Sequence, residues 1–149
     1  MKAIVQTTAE DIKGPIRICL GGEDGDTAFS LVDEVIPPGY GPPLHVHPSF
    51  AEGFYVLDGR LTFQLGRDVT TAAVGSWVYV PPDTEHTFAN LSGQPARTLL
   101  ICSPAGFERH FEQILAKHAG RPVPDASAAM RETYVVGPPI HGALDVPLL

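Results

Sequence analysis

The chain reads as an all-β sandwich or barrel with helices appended towards its C-terminal side, and three observations predict this. Short runs rich in Val, Ile, Thr, Phe and Tyr recur as far as about residue 102, each bounded by Gly, Pro, Asp or Asn, the spacing of strands separated by turns. Fifteen prolines among 149 residues are too many for a helical chain, yet they fall at the edges of those runs, where a missing N–H costs little. After Pro104 the apolar period lengthens to that of a helix.

Taken in order, strands are expected at residues 2–6, 16–20, 27–36, 44–47, 53–57, 61–65, 69–73, 76–80, 86–90 and 97–102. Asp58-Gly59 and Gly66-Arg67-Asp68 have the composition of hairpin turns joining consecutive antiparallel strands. Both segments that carry the candidate site then belong to one sheet system. A helix is expected at 105–119, with Phe107, Phe111, Ile114 and Leu115 on its apolar face and Glu108, Arg109, Glu112 and Lys117 on the other. His110 and His118 are read as solvated. Gly120 and Pro122 stop that helix. A second short helix is expected at 125–133, capped by Asp125, followed by a short strand or arm at 134–136. The proline- and glycine-rich segment 137–149, with His141, is expected to lie irregularly along the surface.

Residues 39–90 carry the candidate chemistry. Three of the six histidines lie here. His45 and His47 are two apart, so on an extended strand both imidazoles leave the same face. Glu52 follows a Pro48-Ser49 break that lets the chain bend back, and His86 has to come from a neighbouring strand. If Glu52 points inward, Phe54 and Val56 share its face, and Phe88 shares that of His86. These side chains are candidates for lining a substrate cavity, as well as ordinary barrel core. Trp77 and Tyr79 have no reference residue by which to be placed.

Two glycine-bounded patterns are present: Gly39, His45, His47, Glu52 and Gly59, then Gly75, Pro81, Asp83, His86 and Asn90. Together they resemble the two motifs of the cupin superfamily. Every spacing is kept, and only Asp83 departs, standing where the family has glycine. Aspartate tolerates positive φ better than most residues, so Pro81-Pro82-Asp83-Thr84 still reads as a tight turn. The resemblance implies a jelly-roll barrel, the double-stranded β-helix, as a single cupin domain over 1–149. The barrel would fill about 1–103, and the helical segment and tail about 104–149. It also implies one divalent transition metal held by His45, His47, Glu52 and His86. Imidazoles and a carboxylate suit iron, manganese and nickel. Zinc is the less favoured alternative, because four protein ligands fill a tetrahedral site.

Similarity to the small, quercetin-dioxygenase-like cupins implies a metal-dependent dioxygenase acting on an aromatic or enolic substrate, with Glu52 also serving as general base. A non-oxidative isomerase or cyclase, or a cupin that only binds a small ligand, is the alternative. A net charge of −7 with ten scattered Lys and Arg argues against nucleic acid as a partner. The first ten residues lack a signal-peptide core, and no apolar run reaches membrane-spanning length. The expectation is a cytoplasmic protein with a small-molecule partner and no membrane. A homodimer through sheet edges or the N-terminal strand is expected, because open barrels leave edges that need cover. Cys19 and Cys102 suggest no disulfide framework, and Cys102 is read as a small buried hydrophobe.

Overall fold

The computed structural model describes residues 3, 4, 14–21, 24 and 27–145. Strands β1 (Ile16–Leu20), β2 (Ser30–Ile36), β10 (Ala96–Ser103), β5 (Ala51–Asp58) and β8 (Trp77–Val80) form one antiparallel sheet in that spatial order. A second antiparallel sheet runs β11 (Tyr134–Gly137), β4 (Leu44–Val46), β9 (His86–Ala89), β6 (Arg60–Leu65) and β7 (Asp68–Ala73). The remaining elements are β3 (Tyr40–Gly41), α1 (Glu108–His118), α2 (Ala128–Glu132) and β12 (Leu144–Asp145).

Alternation places the core between the sheets. On β2 the residues Val32, Glu34 and Ile36 point inward, and on β10 Thr98, Leu100 and Cys102 do so. Phe54, Leu61 and Phe63 meet them from β5 and β6. Burying each such apolar side chain contributes about 1.5–3 kcal/mol.

The Gly66-Arg67 hairpin forms as expected. Leu65 pairs with Asp68, and Gly66 takes φ +59 as the first central residue of a primed turn. Asp58-Gly59 differs from expectation. It is not a hairpin but a corner where the chain leaves one sheet for the other, since β5 and β6 do not pair. Gly59 is at φ +70, and a Cβ there would lie 2.8 Å from the Pro95 carbonyl. Each motif segment is divided between the two sheets, with β5 and β8 in the first and β4 and β9 in the second, rather than set on one.

Two further expectations are corrected. Helix α2 is shorter than 125–133 and is capped by Ser127, whose hydroxyl accepts from the Met130 N–H, not by Asp125. Segment 137–149 is not wholly irregular, because β12 pairs in parallel with β3. Segment 134–136 forms a short strand as expected, with β11 on the edge beside β4. The expected strand at 2–6 lies outside the described residues apart from 3 and 4. No helix among the described residues is long and apolar enough to cross a membrane.

Candidate metal centre

His45 stands on β4 directly opposite His86 on β9 in the same antiparallel ladder, and His47 follows one residue beyond the end of β4. Glu52 reaches the same point from β5 in the facing sheet. The turn that delivers His86 holds Asp83 at φ +60, and its N–H donates to the His47 carbonyl at 3.0 Å. Asn90 ties the far end of β9 in place, its Nδ2 donating to the carbonyls of Ile36 and Gln94.

The four side chains are buried, at 2–4% exposure. One ligand atom from each lies within 4.8 Å of all the others. Each histidine is oriented by its other nitrogen. His45 Nδ1 lies 2.7 Å from the Pro43 carbonyl, and His86 Nδ1 lies 2.8 Å from that of Thr84. Carbonyls only accept, so both Nδ1 atoms carry hydrogen. His47 Nδ1 lies 2.7 Å from Thr133 Oγ1, whose own hydrogen goes to the Ala129 carbonyl. This Nδ1 therefore donates as well. All three Nε2 atoms face the centre, which is how metal-bound imidazoles are held.

The donors need a cation. His47 Nε2 is buried with no hydrogen-bond partner and sits 3.2 Å from Glu52 Oε1. His86 Nε2 is 2.8 Å from Glu52 Oε2. Two lone pairs that close repel unless a proton or a metal ion lies between them. Burial alone would raise the Glu52 carboxyl, but the adjacent His47 and His86 imidazoles, the latter hydrogen-bonded to it, hold it well below the usual carboxylate range. Burial lowers His86, yet its bond to Glu52 outweighs this and raises it. Burial, with the neighbouring His86 and His47 rings, pushes His45 down to about 4. With the proton between His86 and Glu52 displaced, three imidazole nitrogens and an ionised carboxylate fit a divalent transition metal.

Phe54 and Phe88 border the small space beside this cluster, together with Glu34, Tyr40, Phe107, His110 and Phe111. Val56 shares the strand face of Phe54 but lies fully buried in the core and does not border the space. His110 and Glu34 were not foreseen there. The solvated reading of His110 is corrected, since its ring packs on Phe107 and Phe111 at 5.3 and 5.2 Å. Burial, with His47 and Lys117 nearby, lowers it to about 4. Its spacing was informative, because 107, 110, 111 and 114 form one helical stripe. Glu108, assigned to the polar face, is likewise buried at 4%, and it accepts the Gly106 N–H. Glu34 stands between Val32 and Ile36 in strand alternation, and that position pointed it inward. Burial, with Glu52 and Asp33 nearby, raises its carboxyl to about 8.

Residues 32–102 match the family described as Cupin domain. An uncharacterised protein of Methanocaldococcus jannaschii is 30% identical over 86 residues, covering 58% of this chain and 68% of that protein. A Cupin 2 conserved barrel domain protein from Salinispora arenicola superposes with a TM-score of 0.57 at 16% identity, covering 68% of this chain and 90% of that one. The KdgF structure from Halomonas sp. gives 0.53 at 20% identity, covering 64% and 84%. At such identities the structural likeness speaks for the fold alone. Motif geometry, sheet architecture and sequence match agree: the chain belongs to the cupin superfamily, as a small domain of the double-stranded β-helix fold.

Proposed function

We propose that this protein is a metal-dependent dioxygenase that takes a small aromatic or enolic substrate at the His45, His47, Glu52 and His86 centre. One observation carries the reading: three imidazole Nε2 atoms and a carboxylate converge in a buried site, with every Nδ1 already committed to a hydrogen bond. A divalent ion there would supply Lewis-acid polarisation of a substrate oxygen and, as iron or manganese, redox chemistry with dioxygen.

The chain's own residues would do the rest. His45, His47 and His86 hold the ion. Glu52, kept ionised, can also take the substrate's hydroxyl proton as general base. Phe54 and Phe88 present apolar faces to the space beside the ligands, where the substrate's polar head would enter.

A second reading is favoured by Glu34 and His110. An additional carboxyl and an additional imidazole border the same space, which suits proton relocation without oxidation, as in an isomerase or cyclase. The separating experiment reconstitutes the chain with iron, manganese or nickel and follows oxygen uptake over a panel of flavonols and other enediols. Uptake that Glu52→Gln depresses, with metal retained, supports the dioxygenase. Consumption of a panel member without oxygen uptake moves the protein to the second class.

A further inference from the structure

The centre itself has little free volume. The space beside it measures about 30 Å³, close to the share of liquid that one water occupies, so an organic substrate needs room elsewhere. Behind Glu34, Tyr40 and Phe111 lies a groove of about 400 Å³ between β1, β2 and α1, walled also by Ile16, Ile36 and Ile114. That volume falls in the range of small-molecule sites. The three shared residues border both spaces. Glu34 is only 8% exposed, and its carboxyl has no hydrogen bond or ion pair among the described residues. A buried polar group of this kind is costly unless something pairs with it. Among the described residues no lysine or arginine borders the groove, and its wall is mostly apolar, with Glu34, Tyr40 and His118 as the polar side chains.

We propose that this groove seats the apolar body of the substrate, whose hydroxyl or carbonyl head passes between Tyr40 and Phe111, hydrogen-bonds Glu34 and reaches the His45, His47, Glu52 and His86 cluster. The inference rests on the reading of that cluster as a metal centre for a small organic ligand. It adds the substrate class: one compact apolar body with a single polar head. The passage opens by rotation of the Phe111 or Tyr40 ring, since both stand in the wall between the two spaces.

The probes are 2-naphthol and naphthalene, titrated by calorimetry into the full chain with metal content measured alongside. One 2-naphthol should bind per chain. Ile114→Trp, which fills the groove away from the four ligands, should weaken it by about tenfold or more while leaving metal content unchanged. Should that variant fail to fold, Ile16→Trp on the opposite wall carries the same expectation. Glu34→Leu should weaken 2-naphthol by roughly three- to tenfold and spare naphthalene. The proposal is overturned by absence of saturable binding, by 2-naphthol binding that filling the groove leaves unchanged, or by binding that converts a dimer to a monomer, which would make a second copy the natural occupant. Groove binding in a chain that holds no metal would sink the metal reading and leave the groove standing.

Discussion

The three histidines of the centre are worth more for their Nδ1 partners than for their positions in the sequence. Thr133 contributes nothing that a motif would show, yet its hydroxyl fixes the His47 ring across 86 residues. Thr133→Val should lower metal affinity about 10–100-fold, read by competition with a chelator, with strand content unchanged. Because His86 is raised by its bond to Glu52, metal uptake near neutral pH should displace its proton. Calorimetry in buffers of different ionisation enthalpy should show that release, and equal heats in every buffer would contradict it. Two further groups set opposite slopes of stability with pH in the metal-free protein. His110, lowered from 6.5 to about 4 by burial, is held neutral. Its contribution is complete above 6.5 and lost as pH falls through 4, so His110→Phe should flatten the acid limb of a melting-temperature profile. Glu34, raised from 4.5 to about 8 by burial, contributes fully below 4.5 and loses this as pH rises through 8. Glu34→Gln should therefore raise the melting temperature more at pH 8 than at pH 5.

Elements explain which parts of the site were legible. Strand alternation and motif spacing identified His45, His47, Glu52 and His86, because a ligand set must converge and the strand period fixes faces. The positive φ of Asp83 followed from the same spacing. Alternation failed for Val56, since inward parity on β5 leads to the core as readily as to the cavity. Helix α1 was found, but His110 was assigned to solvent on polarity rather than on its i, i+3 relation to Phe107. The corner at Gly59 was read as a hairpin because turn composition cannot show which sheet the next strand joins. Helix α2 was misplaced at its start, as Asp125 and Ser127 are both good caps, and only tertiary position selects Ser127, whose hydroxyl also donates to the Gly106 carbonyl. Ser127→Ala should cost about 0.5–2 kcal/mol in chemical denaturation, and a neutral result would deny that cap a stabilising role.

At the scale of the molecule, the open barrel leaves a face that a second copy would cover. Tyr55, Trp77 and Tyr79 stand 41%, 51% and 56% exposed on β5 and the edge strand β8, with the Trp77 indole set against Gly53. Apolar surface of this kind, beside an unpaired edge, favours association. Light scattering at micromolar concentration should give a dimer mass, twice 15.9 kDa, and Trp77→Lys a monomer. A monomeric parent chain would refute the homodimer. The metal centre is tested most directly by elemental analysis of the protein purified without added metal, beside His86→Ala. About one divalent transition metal ion per chain is expected in the parent. In His86→Ala the metal should be essentially lost while the strand signature in circular dichroism persists. Undiminished metal in His86→Ala, or a parent that holds none and takes up none on reconstitution, would contradict the account.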